Sequence, residues 1–227
     1  MGAKYTFYGH GTHMIETDGH KLIVDPFFTG NPVAAITADE AEADFIFVSH
    51  GHGDHLGDAV DIAKRTGALV ISNAEIAGWL NNMGVETHAQ HIGGGYQHPF
   101  GYLKLTMALH GSALPDGSNG GNPAGMFLKT NQGEKIYVAC DTGFFGDMKY
   151  IGKEGLDLAV IPIGDNYTMG PEDALRAVKL LKPKHVVPCH YNTWPVIEQD
   201  AAAWVEKVKL KTDAKPHLLK PGESFSL

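Results

Sequence analysis

The stretch His50-Gly51-His52-Gly53-Asp54-His55 constrains this chain more than any other, because it packs three imidazoles and a carboxylate into one turn. It follows the apolar run Phe45-Ile46-Phe47-Val48 and Ser49, so it sits where a buried strand would end. An extended approach places His50 and His52 on one side by the period-two rule. Gly53 lets the backbone turn before Asp54 and His55. One loop can therefore offer two imidazoles to one metal ion and Asp54 with His55 to a second. Neither set is complete, since a metal site of this kind takes about four ligands or more. The fold must bring further donors from elsewhere in the chain.

Candidates stand at the ends of other apolar runs. His110 closes the strand-like "LKLTMAL", Asp141 closes "KIYVAC", and His190 closes "KHVVPC". The C-terminal ends of strands are where α/β folds tend to place sites. Short Val- and Ile-rich runs predict strands over 20–25, 44–50, 68–73, 135–141, 156–164 and 184–190. Helices are expected over 57–66, 73–83, 171–182 and 196–210, the third opening on Pro171, Glu172 and Asp173 as helix starts favour. The order strand, strand, helix, strand occurs twice: the first begins with a run ending at Asp25, the second with a run ending at Asp141. That pattern predicts two related β-rich halves packed face to face with helices outside, within one domain. The glycine-rich stretch 111–125 reads as a loop, close enough to His110 to cover a site.

Composition narrows the partners. The 227 residues are 43% hydrophobic and 19% charged, ordinary for a globular protein with a real core. No run approaches the length of a membrane span, and no leader is evident near the N-terminus, so a cytoplasmic location and no membrane partner are expected. A formal net charge of −8 argues against nucleic acid as a partner. Cys140 and Cys189 are too few for a disulfide framework.

The ordered motifs resemble the metallo-β-lactamase-fold superfamily: "HGHGDH" at 50–55, "ALH" ending at His110, "CDTG" at 140–143 and "CH" at 189–190. The stretches "YGHGTHMIETDGHKLIVDP" (8–26), "CDTGFFGDM" (140–148), "IPIGDNYTMGPEDA" (161–174) and "CHYNTWP" (189–195) look like the metal-dependent hydrolases related to ascorbate-6-phosphate lactonase. The resemblance implies an α/β, four-layer αββα sandwich with an internal pseudo-twofold repeat. It also implies that His50, His52 and His110 bind one metal, that Asp54, His55 and His190 bind a second, and that Asp141 bridges them. Cys140 departs from the pattern, which has a small residue there, usually glycine.

Two divalent ions, Zn²⁺ first with Mn²⁺ or another transition metal as alternatives, would hold a bridging water about 3.5–4 Å metal to metal and lower its pKa. The expected reaction is hydrolysis of a small ester, lactone or phosphate-bearing substrate, with Asp54 orienting the nucleophile and His55 beside it. The alternatives are a mononuclear-iron or di-iron oxidoreductase, or a phosphodiesterase or nuclease, on the same fold. Di-iron members typically carry Glu where this chain has His52, and a flavin domain besides. His10 is either a substrate contact or a turn histidine. Asp25 either steadies a ligand imidazole or caps a strand end. Asp165, Asn166 and Tyr167 either line the substrate pocket or form the tight turn before a helix, and Tyr191 and Asn192 are further pocket candidates. A homo-oligomer is compatible with the sequence.

Overall fold

The computed structural model describes residues 2–227 and builds them into two facing sheets with helices on both outer surfaces. The first half contributes β1 (Lys4–Gly9), β2 (Thr12–Thr17), β3 (His20–Val24), β4 (Phe45–Phe47), α1 (Gly53–Leu56), α2 (Ala59–Thr66), β5 (Leu69–Asn73), α3 (Ala74–Asn81) and β6 (Thr87–Gln90). The second contributes β7 (Gly95–His98), β8 (Gly101–Met107), β9 (Ala124–Thr130), β10 (Lys135–Val138), α4 (Met148–Gly152), β11 (Leu158–Pro162), α5 (Pro171–Leu181), β12 (His185–Cys189), α6 (Ala201–Lys211), β13 (Lys215–Pro216) and β14 (Ser224–Ser226). One sheet runs β14-β1-β2-β3-β4-β5-β6 and the other β13-β12-β11-β10-β9-β8-β7.

The predicted repeat is visible in strand direction. In each half an antiparallel meander, β1-β2-β3 or β8-β9-β10, leads into parallel strands, β4-β5-β6 or β11-β12-β13. Alternation along the strands makes the layers. Leu22, Val24, Phe45 and Phe47 face Ile136, Val138, Leu158 and Val160 in the core between the sheets. The intervening Ile23, Ile46 and Val70 face α2 and α3 through Ile62, Ala63, Ile76 and Leu80. On the far side Tyr137, Ala159, Ile161 and Val186 face α5 and α6 through Leu175, Val178, Trp204 and Val208. Side chains of period two thus fill three apolar interfaces, which is the sandwich architecture expected.

Local chemistry sets the boundaries. α5 opens on Pro171 with Glu172 and Asp173 in its first turn, where a missing N–H costs nothing and negative charge meets the helix dipole. The helix expected over 196–210 begins only at Ala201, because Pro195–Ile197 forms a separate 3₁₀ turn. The start is fixed by Asp200, whose Oδ1 accepts from Ala203 N at 2.9 Å. The loop 111–125 gives way to β9 at Ala124. Its end is tied down where Asn73 Nδ2 donates to the carbonyls of Gly120 and Asn122 at 2.7 and 3.0 Å. Among the described residues no helix is long and apolar enough to cross a membrane.

The parallel strands β3, β4, β10 and β12 run into the segments that carry Asp25, His50, Asp141 and His190. Gly164, just past β11, lies against one of these turns, where an added Cβ would overlap the carbonyl oxygen of His190. Gly164→Ala is therefore expected to lower the unfolding free energy by about 1–3 kcal/mol, as overpacking does. An unchanged urea midpoint would contradict this packing.

Candidate metal centre

The turn after β4 opens with His50 and is followed by α1, a single turn of helix for which His52 is the N-cap residue. That geometry swings Asp54 and His55 back toward His50. His110 arrives from the segment after β8, Asp141 from the end of β10 and His190 from the end of β12.

Two groups of donors result. His52 Nδ1 lies 3.0 Å from His50 Nε2 and 3.2 Å from His110 Nε2, so three imidazole nitrogens converge on one point. Asp54 Oδ2 lies 3.5 Å from His55 Nε2 and 3.7 Å from His190 Nε2, forming the second group. Asp141 Oδ2 stands between them, 3.3 Å from His55 Nε2, 3.1 Å from His190 Nε2 and 3.5 Å from His110 Nε2. Despite these approaches, His55 Nε2 and His190 Nε2 are buried with no hydrogen-bond partner, and His190 Nδ1 is also unpartnered. Buried nitrogens are ordinarily paired. The inward-facing nitrogens of His55 and His190, left without partners beside two carboxylates, suit a cation, and His50, His52 and His110 converge closely enough to hold one as well. The donor set of imidazoles and carboxylates fits a divalent ion of the Zn²⁺ or Mn²⁺ kind.

The electrostatics agree with that fit. Burial alone would raise the Asp141 carboxyl, but the imidazoles of His190 and His55 outweigh it and hold the group well below the usual carboxylate range. Burial likewise opposes ionisation of Asp54, and its contacts with His10, His190 and His55 again win. His50 and His110 are pushed down by burial and stay neutral, the form that ligates metal. His55 and His190 are raised despite burial, because carboxylates surround them: Asp141 and Asp25 for His55, Asp141 and Asp54 for His190, which rises to about 9. Three carboxylates, Asp25 and Asp141 buried and Asp54 half-buried, thus draw positive charge into this cavity.

A supporting layer orients the imidazoles. Asp25 Oδ1 accepts from Ser49 N at 2.7 Å, and its Oδ2 accepts from Ser49 Oγ at 2.6 Å and from His55 Nδ1 at 2.8 Å. Ser49 Oγ in turn lies 2.9 Å from His50 Nδ1. One carboxylate therefore fixes a histidine of each group, directly or through a hydroxyl. Strain is concentrated here: His10, Asp25, Cys140 and His190 all have positive φ, between 48° and 56°. At Cys140 the φ of 52° is a conformation glycine adopts freely. That is a physical reason for the small residue the resemblance calls for. Its thiol is buried, and burial pushes it up, so it stays protonated and inert.

His10 is 1% exposed, with Nδ1 2.7 Å from Thr193 Oγ1 and Nε2 3.0 Å from Asp54 Oδ2. Burial and the neighbouring His190 lower it to about 4, so it is neutral: Nε2–H donates to Asp54 and Nδ1 accepts from Thr193. It positions a carboxylate and does not reach the cleft. That cleft, about 560 Å³, is lined by His52, Asp54, His110, Asp141 and His190 together with Phe27, Tyr167, Trp194 and Val196. Tyr167 is therefore at the wall. Asp165 and Asn166 are not, and Asp165 Oδ1 instead accepts from Asn166 N at 2.9 Å in the turn. Tyr191 packs against the core under α5 and α6, and Asn192 Oδ1 accepts from Gln199 N at 2.7 Å. Both hold the turn that carries His190. Phe27, Trp194 and Val196 were not singled out by sequence. Their only signal is adjacency, Phe27 two residues past Asp25 and Trp194 four past His190.

Asp25→Asn preserves shape but sets an amide donor against the donors of Ser49 and His55. It is expected to weaken metal affinity about 10–100-fold, measured by competition with a chromophoric chelator. Unchanged affinity would show that Asp25 only caps its strand.

Comparison with known proteins agrees with this geometry. Residues 20–191 match the Beta-lactamase superfamily domain. A UPF0173 metal-dependent hydrolase of Heliobacterium modesticaldum is 52% identical over 230 residues, covering 98% of this chain and 96% of that protein. One from Thermus thermophilus is 46% identical over 221 residues, covering 97% of each. Among solved structures, Igni18, a novel metallo hydrolase from the hyperthermophilic archaeon Ignicoccus hospitalis, superposes with a TM-score of 0.93 at 36% identity over 100% of this chain and 99% of its own. Fold, donor arrangement and relatives together place the chain in the β-lactamase superfamily, among the UPF0173 metal-dependent hydrolases.

Proposed function

We propose that the chain hydrolyses a small, neutral acyl compound, an ester, lactone or thioester, with two divalent cations held side by side. The observation that carries this reading is Asp141 Oδ2, one carboxylate oxygen within 3.5 Å of imidazole nitrogens belonging to both donor groups. His50, His52 and His110 would hold one ion and Asp54, His55 and His190 the other, with Asp141 shared. The chemistry such ions supply when bound is Lewis acidity, which makes a water nucleophilic near neutral pH and polarises a carbonyl.

The chain's own residues supply the rest. Asp54 reaches the cleft with Oδ2 engaged by His10. Its other oxygen accepts the proton lost by the attacking water and returns it to the leaving oxygen or sulfur. Thr193, through His10, keeps that carboxylate from rotating. Phe27, Trp194 and Val196 give the cleft an apolar wall that excludes bulk water and receives a hydrocarbon or aromatic acyl group. The Tyr167 side chain, at the rim, offers a hydroxyl to the departing group.

The phosphate-bearing substrate left open by the sequence finds less support. Among the described residues no lysine or arginine lines this cleft, whereas sites for phosphate monoesters ordinarily combine metal with cationic side chains.

Assay of the Zn²⁺- and Mn²⁺-loaded protein on lactones, aryl esters, thioesters and phosphate monoesters tests the reading. Turnover is expected on the acyl compounds and is expected to fall about 10²–10³-fold or more in Asp141→Asn. Phosphate monoesters turned over best, or an Asp141→Asn variant as active as the parent, would contradict it. Trp194→Ala is expected to raise KM for aryl esters more than for acetyl esters, because it removes apolar contact and no reacting group. An equal change for both would remove Trp194 from the acyl pocket.

A further inference from the structure

The outer face of the second half carries another cleft, of about 450 Å³, that shares no residue with the first. Period two places Tyr102, Lys104 and Thr106 on one face of β8. In register across from them on β9 lie Lys129, Phe127 and Gly125. Lys129 is also paired directly with Lys135 of β10. Like charges at directly opposed positions repel and destabilise a sheet. Glu154 lines the same cleft, and Asp157 lies close enough to Lys135 to be lowered by its charge, but neither closes an ion pair with these lysines. Lys4, Arg65, Arg176, Lys184, Lys207 and Lys209 each pair with a carboxylate. Among the described residues Lys104, Lys129 and Lys135 make no such pair, and Lys135 Nζ is taken up only by the backbone carbonyl of Glu154 at the rim. Lys149 and Lys153 add further charge beside the cleft, over the ring of Tyr150 at 4.8 and 5.0 Å. Five unpaired cations gather on one face of a chain whose net charge is −8.

The floor is formed by Thr106, nine-tenths buried, with the fully buried Tyr137 beneath it, and the two hydroxyls face each other. Gly125 keeps the space open, since a Cβ there would lie 2.7 Å from Thr106 Oγ1. Tyr102 and Tyr150 are 37% and 54% exposed at the walls. The related face of the first half is sealed, because Phe28, Ala34, Ile36 and Ala41 pack over Met14 and Ile23.

We propose that this cleft binds a nucleotide-sized anion, with phosphate oxygens on Lys104, Lys129 and Lys135 and a flat ring against Tyr102 or Tyr150. The volume is that of a small-molecule site. A long nucleic acid is disfavoured by the chain's overall negative charge.

Calorimetry on the metal-loaded protein with ADP, GDP, CDP and UDP tests this without reference to turnover. At least one is expected to bind at about 1 mM or tighter, and more tightly than inorganic pyrophosphate or the free nucleoside. Lys104→Gln with Lys129→Gln should weaken that binding about tenfold or more while kcat/KM for acyl substrates stays unchanged. Tyr150→Ala and Tyr102→Ala, made together, should weaken the nucleoside diphosphate but not pyrophosphate. Four failures to bind, or an affinity untouched by the lysine pair and so arising at the metal centre, would overturn the proposal. So would pyrophosphate binding as tightly as the best nucleotide, or a single-stranded oligonucleotide binding more tightly than all four.

Discussion

A single buried oxygen, Oδ2 of Asp141, organises the centre of this protein. It is surrounded by imidazoles from three separate segments, of which His55 belongs to the first half of the chain and His110 and His190 to the second. A carboxylate taken out of water is costly unless opposite charge or hydrogen bonds meet it. Asp141 is 4% exposed and Asp54 adds a second carboxylate beside it. The two sheets must therefore close at a fixed register for these charges to be compensated at all. Three apolar layers supply the energy of closure, and the strand ends supply its precision. The positive φ values at His10, Asp25, Cys140 and His190 show where backbone comfort is sacrificed to that arrangement.

Much of this was legible in the sequence for a simple reason. Residues of the candidate centre at the ends of buried strands are marked twice, once by the apolar run and once by the sudden polar residue that closes it. Asp25, His50, Asp141 and His190 all carry both marks. The repeat was legible because Asp25 and Asp141 close equivalent strands, β3 and β10, which lie at the same place in their sheets. What escaped depends on contacts between residues far apart in the chain. Nothing local says that His10 spends both nitrogens on Thr193 and Asp54, or that the walls of the cleft are Phe27, Trp194 and Val196. The helix expected from 196 failed for a local reason, the Pro195 turn followed by the Asp200 cap. Short edge strands such as β13 and β14 have too few residues to show a period.

The pseudo-twofold halves have diverged in what their outer faces do. In the first half the segment from Phe28 to Ala41 lies over the meander and buries an apolar surface. In the second, the corresponding meander keeps lysines and tyrosines toward solvent. Beyond this cleft β8 leads to His110 and β10 to Asp141, so the strands beneath the basic face end at residues of the metal centre. The catalytic cleft and the basic cleft also differ in chemistry, one apolar and acidic, the other cationic and aromatic. That contrast would separate the proposed neutral substrate from the proposed anionic ligand within one fold.

The central claim is that two cations share Asp141. Anomalous diffraction from crystals of the zinc-loaded protein, recorded on both sides of the zinc absorption edge, tests it most directly. The account predicts two peaks, one ringed by His50, His52 and His110 and one by Asp54, His55 and His190, with the Asp141 carboxylate between them. A single peak, or a peak that leaves His110 or His190 outside its ligand sphere, would contradict it.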